Sequence, residues 1–155
     1  MNTFIAIDAS KLTRKQKKKA LRTLSIIKGK RDSTIKGRTC TDGRKQRLWK
    51  TKQESASPTV HTDSVMLSMI VGAHEKRSIA VGDFKGAYLN AIMDEFLHVR
   101  LEGEQVEIMC RINPECLKHA TKERGTKVLH LALNKALCGC VQSALLWCKL
   151  LVDPS

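Results

Sequence analysis

Large aromatic side chains are scarce in this chain: three Phe, two Trp and one Tyr make up 4% of its 155 residues. A core must therefore rest on Leu, Ile, Val, Ala and Met, with few rigid rings to specify its shape. A secretory leader is not expected either, because the apolar start Phe4-Ile5-Ala6-Ile7 is far shorter than an h-region. That argues against secretion and for an intracellular setting, cytoplasm or nucleus, in which the six cysteines stay reduced. Those cysteines (Cys40, Cys110, Cys116, Cys138, Cys140 and Cys148) complete no zinc pattern. Cys116 and His119 stand three apart and Cys138 and Cys140 two apart, yet no C-x-x-C with a downstream partner follows, which leaves buried, inert thiols as the expectation. No membrane span is expected either: the apolar-rich stretch 128–152 is interrupted by Asn134, Lys135, Gln142 and Lys149. Internal repeats and low-complexity tracts are absent.

Acidic residues are nearly missing from one stretch. Between positions 11 and 52 only Asp32 and Asp42 oppose 17 Lys or Arg, whereas the rest of the chain holds 11 basic against 13 acidic residues. The net charge of +13 is thus one basic block on a nearly neutral body. Polyanion binding is the natural implication. Taken alone, the run Lys15-Gln16-Lys17-Lys18-Lys19 fits a solvated arm or a localisation signal equally well. A content of 42% hydrophobic and 28% charged residues is globular, and a chain of this length buries roughly 68–70% of its unfolded surface, enough for one core.

Local patterns suggest the order of elements. Ser10 is placed to cap a basic helix from about 11 to 28, with Leu12, Ala20, Leu21, Leu24 and Ile27 as its apolar positions and Gly29 as its stop. Thr41-Asp42-Gly43 reads as the turn of a basic hairpin formed by 35–40 and 44–49. After a loop at 54–58, Thr62 or Asp63 opens a helix with Val65, Met66, Met69, Ile70 and Ala73 on one face, ending at Glu75-Lys76-Arg77. Ile79 to Val81 reads as a short buried strand that delivers Asp83 at its end. A second hairpin is expected from 97–101 and 106–110 around Glu102-Gly103-Glu104. Pro114 opens a short helix, Arg124-Gly125-Thr126 turns the chain, 128–133 is a strand and 143–152 a final amphipathic helix. Helices mixed with hairpins imply an α+β fold.

An Asp after a buried strand usually just caps a turn, but the surrounding string Val81-Gly82-Asp83-Phe84-Lys85-Gly86-Ala87-Tyr88-Leu89-Asn90 closely resembles the first conserved motif of copia-type retrotransposon reverse transcriptases, D-x-K-G-A-[FY]-L. The stretch from Leu133 to Ser143, containing Lys135-Ala136-Leu137-Cys138-Gly139-Cys140-Val141-Gln142, resembles that family's K-A-L-Y-G-L-K-Q-A-P block, and Trp147 matches the Trp that follows it. Upstream, Lys36-Gly37-Arg38, Asp42-Gly43-Arg44-Lys45-Gln46 and Ala56-Ser57-Pro58-Thr59-Val60 are similar to its fingers and its A-P-V segment. The resemblance covers roughly residues 20 to 152.

It implies the fingers and first part of the palm of a right-hand polymerase. A basic helical segment at 1–34 would precede fingers at 35–76 and the palm start at 77–155. The implied activity joins a deoxynucleotide triphosphate to a DNA primer on an RNA template, with two Mg²⁺ ions neutralising the charge that builds on the attacking and leaving oxygens. By resemblance, Asp83 is the first catalytic carboxylate and a metal ligand, and the Phe84 backbone carbonyl is a further metal contact. Tyr88 would pack under the incoming sugar and Gln142 would line the nucleotide pocket. Lys36 and Arg38 would meet triphosphate or template phosphates, while Arg44, Lys45, Lys17, Lys18 and Lys19 would grip nucleic acid. Departures accompany the matches: Cys138 replaces the family's Tyr, Cys140 and Val141 its Leu-Lys, and Ala144-Leu145 its Pro-Arg. The family's second catalytic block contains two adjacent Asp, and no Asp-Asp pair exists in these 155 residues. The expectation is a fragment that is inactive alone. Three readings stay open on the sequence: a polymerase module, a binding module that grips RNA or DNA without chemistry, and an inert relic. Oligomeric state is left open as well.

Overall fold

The computed structural model describes residues 3–153. Its strands are β1 (Phe4–Ile7), β2 (Leu21–Gly29), β3 (Ile35–Thr41), β4 (His98–Glu102), β5 (Thr121–Glu123) and β6 (Thr126–Leu133). Its α-helices are α1 (Arg14–Lys19), α2 (Thr62–His74), α3 (Glu104–Ile112) and α4 (Ser143–Val152). The strands form one sheet in the order β1-β6-β4-β2-β3, with β5 also paired to β6. All pairings are antiparallel except β2 with β4, where Leu21 and Arg22 face Val99 and Arg100. The chain is therefore a mixed α/β protein with a mixed sheet, compatible with α+β.

Strand parity divides the sheet into two chemically different faces. Leu21, Val99, Leu101, Leu129, Leu131 and Leu133 point into one apolar cluster with Val106 and Cys110 of α3 and Leu146 of α4. On the other face the register places Arg22, Arg100 and His130 in one row, with His98 opposite Ala132 beside it. The turn between β5 and β6 uses Arg124 and Gly125, both at positive φ (50° and 82°), the backbone that suits the right-handed twist of a two-residue hairpin.

Four local expectations are corrected. The basic helix expected over 11–28 is confined to Arg14–Lys19: it begins after Thr13, whose side chain accepts from the Gln16 N–H while the Gln16 side chain accepts from the Thr13 N–H in a capping box. From Leu21 the chain becomes strand, where Thr23, Ile26 and Ile27 are β-branched residues that favour extended backbone. β2 pairs with β3 from Thr23↔Thr41 to Gly29↔Ile35. Asp42-Gly43 turns no hairpin: Asp42 accepts from the Arg44 N–H and starts a 3-10 helix over Gly43–Leu48. Residues 106–110 lie in α3, since Val106, Met109 and Cys110 recur at helical spacing against the core. Finally, residues 77–84 are irregular and exposed, because Ile79–Val81 joins none of the described strands. The helix beginning at Pro114 is a 3-10 turn, and the last helix has the bounds its pattern suggested.

Backbone contact closes the far end of the sheet. Thr41 donates its N–H to the Cys138 carbonyl at 2.7 Å, and Gly139 sits at φ 93°. A Cβ at Gly139 would lie 1.9 Å from the Thr41 carbonyl oxygen, so only glycine allows this approach. Gln46 and Gln142 reinforce it as a buried pair: the Gln46 amide donates to Gln142 Oε1 at 2.7 Å and its oxygen accepts from the Val141 N–H at 3.0 Å.

Candidate nucleic-acid interface

α1 lies near the polar face of the sheet and helps to form a cleft with it. The cavity, about 400 Å³, is lined by Arg14, Lys17 and Lys18 of α1, Ala20, Arg22 of β2, Lys45 of the 3-10 helix, Arg100 of β4, Glu123 of β5 and His130 of β6. Arg14, Lys17 and Lys18 share one side of the helix through their i, i+3, i+4 spacing. Arg100 is neutralised by Glu102 and by Glu123, the latter at 2.9 Å. Arg14, Lys17, Lys18, Arg22 and Lys45 take part in no ion pair among the described residues. Five cations outside any such ion pair, converging on one concavity, focus a positive potential where a polyanion would enter.

The cleft has an unusual floor. His130 is 1% exposed, and neither of its ring nitrogens meets a hydrogen-bond partner among the described residues. His98, 2% exposed with an unpartnered Nε2, lies beside it at 5.2 Å between ring centroids. Burial pushes His98 down to about 4, helped by the proximity of His130. Burial also lowers His130, with Arg100 and Lys17 acting in the same direction and Glu123 opposing them. Both rings are neutral near pH 7, and the unfolded chain binds protons that the fold refuses. Stability is accordingly complete above the ordinary histidine value of 6.5 and declines as pH falls toward 4. From His98 the loss is on the order of 2–3 kcal/mol. Thermal melts between pH 7 and 4.5 are expected to show a falling midpoint for the native chain and a flatter profile for His98→Gln. Parallel profiles would remove His98 as the cause.

The residues singled out from sequence separate into groups. Lys17, Lys18 and Lys45 line the cleft, joined by Arg14 and Arg22, which sequence reasoning did not select. Arg22 escaped notice because the expected helix hid its strand position opposite Arg100. Lys19 lies over the Trp49 ring at 5.0 Å instead. Arg44 makes a two-pronged ion pair with Asp42, at 2.9 and 2.7 Å, which holds that carboxylate at about 2. Lys36 and Arg38 sit on the exposed part of β3, away from the cleft.

Comparison with family models, with curated proteins and with solved structures returned no match.

The residues of the stretch around Asp83 lie elsewhere. Asp83 is exposed, and its carboxylate joins no hydrogen bond or ion pair among the described residues. Phe84 follows it, its ring edge-on to Trp147 of α4 at 5.3 Å. Tyr88 is half-buried against the core in a 3-10 turn over Ala87–Asn90. Gln142 is 1% exposed and fully engaged: besides Gln46 it meets Glu95 at 2.7 Å and the Met93 sulfur at 3.4 Å. It acts here as an internal tie, with Glu95 in turn paired to Lys50 at 3.2 Å. Among the described residues no three His, Cys, Asp or Glu side chains gather as a metal site. A pair of Mg²⁺ ions needs several converging oxygen ligands, which Asp83 and its surroundings do not supply. All six cysteines are free, and no helix among the described residues is long and apolar enough to cross a membrane.

Proposed function

We propose that this chain is a nucleic-acid-binding module derived from the fingers and palm start of a copia-type reverse transcriptase, and that it holds phosphate backbones in the cleft between α1 and the sheet. The observation that carries this reading is the convergence of five unpaired cations on one concavity from three separate elements. Descent is supported by the ordered motifs around Lys36, Asp83 and Gln142. RNA and DNA are the proposed partners, bound without marked sequence preference, because phosphate contacts carry no base information. Nucleotide triphosphates and Mg²⁺ belong to the ancestral chemistry, toward which Asp83 offers a single carboxylate.

Fluorescence anisotropy of labelled single-stranded and duplex oligonucleotides across a salt series tests the binding. Log affinity is expected to fall linearly with log salt, at about 0.9 per phosphate contact on duplex and 0.7 on single strands. A flat response from about 50 to 200 mM salt, where many-contact proteins lose orders of magnitude, would contradict the proposal.

A further inference from the structure

We infer that the floor of the basic cleft is a site for a phosphate monoester dianion, such as the phosphorylated end of a nucleic-acid strand, with His130 as its innermost hydrogen-bond donor. The inference deepens the nucleic-acid reading and rests on it. Its starting point is a cost: three buried ring nitrogens, two on His130 and one on His98, lack partners. A neutral imidazole carries one N–H donor and one acceptor, and leaving such atoms buried without partners costs on the order of 1–3 kcal/mol each. His130 lines the cleft, so a ligand that reaches the floor relieves part of that cost.

Charge selects the ligand. The lining carries Arg14, Lys17, Lys18, Arg22 and Lys45 unpaired, and its one carboxylate, Glu123, is held by Arg100. A phosphate monoester brings close to two negative charges and three strong acceptor oxygens at neutral pH. An internal phosphodiester brings one charge. Tethering points the same way, because an internal phosphate is tied to a sugar on both sides and would drag both into the cavity. A terminal phosphate is tied on one side and can descend to a buried donor. At about 400 Å³ the cavity falls in the range of small-molecule sites, large enough for the terminal nucleotide to follow its phosphate.

Protonation is coupled to this binding. A dianion beside His130 favours the imidazolium and acts against the burial, Arg100 and Lys17 that lower it, on the same side as Glu123. His98, packed against the same ring, senses the change.

The test compares one oligonucleotide with a 5′-phosphate, a 3′-phosphate or only hydroxyl ends, on the full chain at fixed salt. A phosphorylated end is expected to bind about tenfold tighter, the size of one charge-assisted hydrogen bond. His130→Leu should bring phosphorylated ends down to the affinity that the same variant shows for hydroxyl ends, and His130→Gln, which keeps an N–H, should retain part of the preference. Because these variants alter a buried position, a second readout uses the native chain labelled with ¹⁵N-histidine. Addition of a nucleoside 5′-monophosphate should move the His130 ring nitrogens, and the nucleoside alone should not. Competition by that monophosphate against a phosphorylated oligonucleotide is expected if strand end and free nucleotide share the site, and the ratio of their affinities assigns its source; a monophosphate that moves His130 without competing would overturn the strand-end assignment. Equal affinity for all ends together with an unmoved His130 overturns the site but leaves the nucleic-acid reading intact. If no oligonucleotide binds, both fall.

Discussion

Replacing Arg14, Lys17, Lys18, Arg22 and Lys45 by Ala together is expected to lower affinity for a duplex oligonucleotide by about two to three orders of magnitude and to cut the salt slope by about 4. The five side chains come from α1, β2 and the 3-10 helix after Asp42, and none is spent on an ion pair among the described residues. A matched variant with Arg111, Lys118, Lys122, Lys127 and Lys149 changed to Ala loses the same formal charge from a different part of the chain. Lys118 and Lys127 are already committed to Glu115 and Glu107. If affinity depends on net charge alone, the two variants weaken equally. If the cleft is the interface, the second loses only a small fraction of what the first loses. Lys36→Ala with Arg38→Ala forms a third arm, since the reverse-transcriptase resemblance assigns phosphate contacts to those two. Circular dichroism and thermal melts on each variant separate lost binding from lost fold. Equal weakening by the cleft and control sets would return the interface to a diffuse basic surface.

The cleft was half legible in the sequence. Composition located the basic block, and the separations among Arg14, Lys17 and Lys18 lie in plain view, because helical neighbours recur at three and four positions. The part that escaped was made by strand pairing over long sequence distance. Arg22 meets Arg100 and His130 only because β2 runs parallel to β4 and β4 antiparallel to β6. His130 reads as one polar residue within an apolar strand, and nothing local says that it faces a cleft rather than solvent. Asp42-Gly43 shows the complementary failure. The dipeptide suits a hairpin turn and a helix start alike, and the close approach of Gly43 to Gly139 that accompanies the helix start joins residues far apart in the sequence. The final helix was read correctly because its information is local: Ser143 begins it, and Leu146 and Leu150 fall on the side that meets the core.

The exposed segment around Asp83 marks where local and global signals disagree. Ile79-Ala80-Val81 has the composition of a buried strand, yet Val81 is 91% exposed and Ile79 56%. A strand forms where a ladder partner exists, and the described sheet offers this segment none. α2 immediately before it has a similar surplus, with Met66, Leu67 and Ile70 all more than half exposed. The strand expected at 79–81 is thus absent among the described strands, and Asp83 follows an exposed, irregular segment.

Primer extension on an RNA template, with Mg²⁺ or Mn²⁺ and deoxynucleotide triphosphates, is accordingly expected to give no template-directed incorporation by the 155-residue chain. In-line phosphoryl transfer requires converging carboxylates that hold metal ions on both the attacking and leaving oxygens. Asp83 stands exposed with no such cluster near it among the described residues, and no adjacent Asp pair occurs in the sequence. Removing a single electrostatic contact from an active site typically costs about 10²–10³ in rate, and here most of the cage is wanting. The informative comparison has three arms: the native chain, Asp83→Asn, and a longer version carrying an added Asp-Asp hairpin. Activity only in the longer version, abolished there by Asp83→Asn, would establish both the descent and the ancestral role of Asp83. Activity in the native chain that disappears in Asp83→Asn would show that one carboxylate suffices and would overturn the binding-module reading. The two properties are separable in the same samples, because Asp83 lies outside the cleft lining. Asp83→Asn should leave oligonucleotide affinity unchanged, whereas the five-residue cleft variant should lose it.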